Sequence, residues 1–365
     1  MIERLHIQNF KSIKDLWLDL KPVNVLIGSN GVGKSNFISF FELTKAIYSQ
    51  DLGAYTGFRD MSRLLYNGRK HSPSIDGLLD FNNVNAFRFS VIPTMERKGM
   101  IALAGDYFNN HGTQDKNYAQ NWNWKQWDNM VSECSIKTQD KWRAGYLKKY
   151  LESFTVYHFH DTSISSPMRG FCNINDNVRL RENGSNLAAC LYHLSLTDAA
   201  AFRLIEGTVR AVAPYFKEFT LAPLSNDPSS IYLTWRESGT DDFRDSQHLS
   251  DGTIRFMALA TLLLQTNAPE IIILDEPELG LHPAAIERLA AMVKRAERQG
   301  RQIIISTQST NLVNCFDAED IITVDRMDGE TVFNRLDGNE LKEWLDGYNY
   351  SISDLWEKNV IGGQL

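Results

Sequence analysis

Apolar and polar positions alternate in places along residues 2–20, with a break at Lys11-Ser12, which predicts two short strands around a turn. The run Val23–Gly28 (VNVLIG) is almost wholly apolar and reads as a strand buried on both faces. A glycine-rich stretch follows at Gly28–Gly33. Phe37, Phe40, Phe41 and Leu43 then fall at helical spacing, so the order is strand, glycine loop, helix. Residues 75–105 contain further strand-like runs and predict an antiparallel sheet. Residues 153–160 (SFTVYHFH) read as another buried strand, 186–196 and 198–213 as helices, and 229–238 (SSIYLTWRES) as a strand. From residue 250 the pattern becomes helix, strand, helix, strand. That succession is the mark of an α/β layer with parallel strands.

Residues 106–150 fit neither periodicity. Asn, Gln, Lys and Trp dominate there, as in Asn121–Trp127 (NWNWKQW), and the segment reads as a partly helical insertion projecting from the core. Its tryptophans are expected to pack against the base of the insertion. The expected divisions are 1–105, the insertion 106–150, 151–325, and a C-terminal helical extension over 326–365.

With 365 residues the chain can bury a large core, and its 23% charged content is that of a globular protein. No apolar run is long enough to span a bilayer, and the N-terminal residues lack a signal-peptide pattern. The four cysteines are scattered without a CxxC pair, which points to reduced thiols in a cytoplasmic protein. A formal net charge of −7 does not favour a protein coated in nucleic acid. Local basic groups at Arg63, Arg69 and Lys70, and at Arg288, Lys294, Arg295 and Arg298, read as solvated faces.

Three motifs carry chemistry. Gly28–Ser35 (GSNGVGKS) fits the pattern G-x-x-x-x-G-K-[ST], which composition alone produces in about one chain in a hundred of this length. Glycines at 28, 31 and 33 let backbone N–H groups wrap a phosphate, and the helix that follows adds its positive end. Lys34 is placed to bridge the β- and γ-phosphates of ATP, and Ser35 to hold Mg2+. The second motif, residues 270–278 (EIIILDEPE), delivers two acids at the C-terminal end of an apolar strand, where open α/β sheets bind ligands. Asp275 is placed to hold Mg2+ through water, and Glu276 to orient or deprotonate the attacking water. The third, Leu249–Thr253 (LSDGT), sets Ser250 at a helix N-cap, with Gly252 leaving the backbone open to an anion.

Together with Asn9–Ser12 (NFKS) and Ile305–Ser309 (ISTQS), these motifs resemble the ATPase head of the ABC superfamily, in its RecF/SMC-like branch with the OLD heads. The closer resemblance is to a group of compact bacterial AAA-type predicted ATPases. That similarity extends to residues 156–163, 175–194 and 340–363 and covers nearly the whole chain, the insertion 106–150 least. It implies an α/β fold: a two-lobed ABC/SMC-type P-loop ATPase head with an antiparallel β lobe, a parallel α/β lobe and a small partly helical insertion. It also implies a homodimer that sandwiches two ATP molecules. Ser250 and Gly252 of one protomer would then meet the γ-phosphate held by Lys34 of the other. Residues 278–283 would cross the interface. The remaining loop residues Asn30 and Asn36 join the nucleotide set, and Lys11 and Ser12 lie near it.

The sequence departs from that pattern twice. Relatives carry a histidine after the last core strand, where this chain has Gln308, whose amide still bonds phosphate or water but takes no charge. Slow hydrolysis is the expected consequence. The glutamine that senses Mg2+ in relatives has no assignable counterpart, Gln50 being too early in the chain. His158, His160 and Asp161 (HFHD) invite a metal reading, but a structural or interlobe hydrogen-bonding role is the one adopted. The spacing of 241 positions from Lys34 to Asp275 is long for a transporter subunit. Three functional readings stay open. The first is an ATPase governing a separately encoded nuclease or toxin in anti-phage defence. The others are a repair ATPase that clamps DNA and a nucleotide-dependent binding module with negligible turnover. No membrane partner is expected.

Overall fold

The computed structural model describes residues 1–81, 84–96, 98–109, 122–139, 142–240, 242–348 and 350–363. The chain forms two compact units, one of Met1–Phe154 with Asp317–Leu365 and one of Thr155–Phe316.

The first unit is built on a six-stranded antiparallel sheet. Its order is Ile13–Asp19, Ile2–Phe10, Ile75–Phe81, Asn85–Pro93, Gly99–Asn109 and Trp122–Asp128. The first two strands meet at the turn expected at Lys11, whose φ is 52°. The helix Lys34–Ser49 lies against this sheet through aromatic rings. Phe40 packs on Phe10 and Phe89 with centroids 6.0 and 5.8 Å apart, and Phe37 packs on Phe333 at 5.3 Å. The strand Val23–Ile27 is buried at every position, as its composition predicts. It pairs in parallel with Ile321–Met327.

Within 106–150, Trp122–Asp128 is the sheet's last strand and Trp142–Ser153 is a helix. The segment therefore extends the sheet before it turns helical. Residues 110–121 and 140–141 lie outside the described residues. The C-terminal region differs from its expected helical character at its start. Ile321–Met327 and Glu330–Arg335 form an antiparallel hairpin, and the boundary drawn at 326 falls inside its first strand. The cause is the Asp328-Gly329 turn, with both residues at positive φ (51° and 85°), which favours a hairpin. Short helices follow, ending with Ile352–Glu357.

In the second unit, Ile271–Asp275 and Gln302–Thr307 pair in parallel, with Phe154–Tyr157 on the other side of the former. The helix Asp251–Leu264 is buried from Thr253 to its end and packs on Ala199–Val212 and Pro283–Arg298. Its apolar run has no polar face because it is surrounded. The region expected as one strand over 229–238 is two, Ser230–Ile231 and Thr234–Glu237, in separate small sheets. Among the described residues no helix is long and apolar enough to cross a membrane.

Candidate functional site

The glycine loop follows the buried strand Val23–Ile27 and leads into the helix Lys34–Ser49, which no side chain caps. First-turn N–H groups of such a helix are suited to an anion. Gly33 has φ 126°, and a Cβ there would lie 2.3 Å from Thr331 Oγ1, so both backbone and space require glycine. Thr331 donates to the Val32 carbonyl or to Ser12 Oγ, each 2.7 Å away, and so ties the loop to the hairpin. Asn30, Gly31 and Ser35 are exposed, while Gly28 and Lys34 are buried. The Lys34 ammonium folds back on the loop and donates to the Gly28 and Ser29 carbonyls at 2.6 and 3.0 Å.

The same unit gathers the remaining residues expected near the loop. Asn36 donates to Ser12 Oγ at 2.7 Å, and Lys11 donates to Ser39 Oγ at 2.7 Å. Ser39 in turn donates to the Ser35 carbonyl. Lys11 and Ser12 thus brace the first turns of the helix. A further brace went unforeseen. The Ser29 N–H donates to the Gly363 carbonyl at 3.0 Å, which also accepts from the Trp356 indole at 3.0 Å. Gly363 N–H donates to Asp325 at 2.7 Å. The tail motif ending in Gly362-Gly363 carried that signal, but nothing in its spacing names the loop as its target.

In the second unit the acids stand at the end of Ile271–Asp275. Ser306 Oγ donates to Asp275 Oδ1, and the Gln308 amide donates to Glu276 Oε1. The Glu276 N–H donates to the Ser306 carbonyl at 3.0 Å, and its φ is 41°, an uncommon backbone for a glutamate. Gln308 therefore stands on Glu276 itself, positioning the carboxylate through a neutral amide.

Glu278 is buried and accepts from Thr307 Oγ and from the Gln308 N–H (3.2 Å) through Oε1. Its Oε2 is buried with no hydrogen-bond partner among the described residues. Burial pushes its pKa up from the ordinary carboxylate value, and the nearby Glu276 adds to the effect. A raised acid favours the folded state below the ordinary value, and that advantage is lost as pH rises through the raised one. Glu278→Gln is accordingly expected to be more stable than the native protein at neutral pH. The gap should close in acid. Denaturant midpoints across pH check this, and equal slopes against pH would contradict it.

Ser250 caps the helix Asp251–Leu264 by accepting from the Thr253 N–H at 3.2 Å. A Cβ on Gly252 would meet the Gly280 carbonyl at 2.4 Å, so the helix start lies directly on the turn after the acids. Arg255, also buried, pins that region. It donates to the Phe159 and His160 carbonyls at 2.7 and 3.0 Å and to the Leu279 carbonyl. Truncating it strands three acceptors, so Arg255→Ala is expected to cost roughly 3 kcal/mol. An unchanged unfolding midpoint would refute that role. Arg169 does similar work beneath the 249–251 segment, donating to Leu249 O at 3.1 Å and Asp251 at 2.9 Å. Sequence alone flagged neither arginine, because most of their partners are distant backbone carbonyls.

The loop offers N–H groups and an ammonium to phosphate, and Asp275 offers an anionic oxygen to a cation.

Comparison with known proteins places the chain in a family. Residues 23–314 match the AAA_21 family, described as an AAA domain, putative AbiEii toxin, Type IV TA system. The energy-coupling factor transporter ATP-binding protein EcfA of Methanococcus maripaludis is 42% identical over 66 residues, 18% of this chain and 23% of that protein. The EcfA of Methanocaldococcus jannaschii is 32% identical over 96 residues, 26% of this chain and 29% of that protein. The chain thus spans under a third of these curated relatives. The fold is that of an SMC head. The SmcHead bound to the C-winged helix domain of ScpA aligns with a TM-score of 0.62 at 17% identity, covering 93% of this chain and 99% of that one. A Pyrococcus furiosus Smc head with an extended coiled coil, bound to the C-terminal domain of ScpA, gives 0.61 at 16% identity over 96% and 99%. With most of its length matched by that family, this chain is a member of the AAA_21 family, within the ABC/SMC-like P-loop ATPases.

Proposed function

We propose that the protein binds Mg-ATP, hydrolyses it slowly, closes as a homodimer around nucleotide, and thereby regulates a separately encoded nuclease or toxin in bacterial anti-phage defence. The observation that carries the catalytic part is the pair of anchored acids. Asp275 is held by Ser306 and Glu276 by Gln308, each leaving one carboxylate oxygen outside that bond. The family's description as a putative toxin of a toxin–antitoxin system supports the defence setting.

In this reading Lys34 and the loop N–H groups grip the phosphates, Ser35 and Asp275 hold Mg2+, and Glu276 takes the proton of the attacking water. Mg2+, when bound, draws charge off the phosphate oxygens. Ser250 and Gly252 serve the nucleotide gripped by Lys34 of the partner subunit, and residues 278–283 cross the dimer interface. Gln308 remains neutral throughout and orients Glu276, which favours slow turnover.

Phosphate release and mass in solution, with and without ATP and duplex DNA, test the proposal. It expects slow release, a shift from monomer to dimer with ATP, and little response to DNA. Strong DNA stimulation that vanishes at high salt would move the assignment to a DNA clamp. Dimerisation without any phosphate release would move it to a binding module.

A further inference from the structure

The two histidines that read as structural in the sequence stand beside the acid assigned to Mg2+. Phe154–Tyr157 flanks Ile271–Asp275, and the chain leaves it as His158-Phe159-His160. Phe159 is buried, His158 is partly buried and His160 is exposed, and the two imidazole rings are 5.9 Å apart. His158 Nδ1 and His160 Nε2 each lie 4.0 Å from Asp275 Oδ2. All three donor atoms fall within 4.8 Å of one another. Asp161 is not part of the group, since its Oδ1 accepts from Ser163 Oγ at 2.7 Å.

Backbone hydrogen bonds frame these donors. Arg255 holds the carbonyls of residues 159 and 160, and the His158 N–H donates to the Glu182 carbonyl at 2.9 Å. Ser306 occupies Asp275 Oδ1 and turns Oδ2 toward the imidazoles. Such outer hydrogen bonds orient metal-binding carboxylates. An ion about 2.1 Å from each donor keeps its ligands roughly 3–4 Å apart, so small side-chain rotations suffice here.

We propose that His158, His160 and Asp275 form a binding site for a divalent first-row transition-metal ion. Two imidazole nitrogens and one carboxylate suit cobalt, zinc or manganese, whereas Mg2+ takes oxygen ligands and gives up water reluctantly. The binding claim stands on these three side chains alone. Its consequence, that such an ion engages the carboxylate needed for Mg-ATP, rests on the role proposed above for Asp275.

Cobalt(II) titration of the intact protein without nucleotide, followed by visible absorption in excess Mg2+, tests the site. One cobalt per chain is expected, with the stronger bands of an ion bound by nitrogen. His158→Gln, His160→Gln and Asp275→Asn should each weaken binding by at least roughly 10-fold, with unchanged thermal melts showing that they fold. Lys34→Ala should bind cobalt normally while losing nucleotide, which separates this site from the ATPase assignment. A spectrum no different from aqueous cobalt, or equal affinity in the double histidine variant, overturns the proposal even if ATP turnover is intact.

Discussion

Glu276→Gln is expected to keep its affinity for ATP while phosphate release falls by about a thousandfold, within the range that loss of a positioned general base produces. Glutamine is close in size and accepts the Gln308 amide bond through its own carbonyl, so the anchoring seen at Glu276 Oε1 survives. The backbone at φ 41°, held by the Ser306 carbonyl, is also unaffected. What disappears is the basic oxygen. A defect confined to the chemical step follows, and in the proposed cycle the variant accumulates as an ATP-bound dimer. If the variant turns over at the native rate, Glu276 is not the base.

Lys34→Ala is expected to weaken ATP binding roughly 100- to 1,000-fold, the loss of two or three charge-assisted hydrogen bonds to phosphate. The ammonium lies on the Gly28 and Ser29 carbonyls, within the loop proposed to hold phosphate. Lys34 is buried, so its removal also takes away packing. Lys34→Met retains most of the stem and separates the two effects. It should melt above the alanine variant, because it keeps the packing, yet bind nucleotide as poorly. Native affinity in Lys34→Met, measured by calorimetry, would remove lysine from the phosphate site.

Much of the molecule was legible because its signals are local. The strand Val23–Ile27, the glycine loop and the helix Lys34–Ser49 are successive in the chain, and each has its own periodicity or composition. The same holds for Ile271–Asp275 and its acids. Ser250 as a cap follows from its place before an apolar helix. The braces were not legible in this way. Thr331 against Gly33, Gly363 against Ser29, and Arg255 against Phe159 and His160 join residues far apart in sequence, and most end on backbone carbonyls, which leave no mark on composition. The hairpin after residue 321 was missed for another reason. Tryptophan and acidic residues farther on suggested helices, while the local Asp-Gly turn decided the outcome. His158 and His160 were visible, but their third neighbour, Asp275, comes from a strand more than a hundred residues later.

In the proposed cycle Glu276 is the residue that separates binding from chemistry. The direct test is to load native protein and Glu276→Gln with ATP, isolate each complex, and identify the nucleotide it carries over time. Conversion to ADP and phosphate in the native protein, with intact ATP recovered from the variant, is the predicted result. ADP appearing in both at the same rate would contradict it.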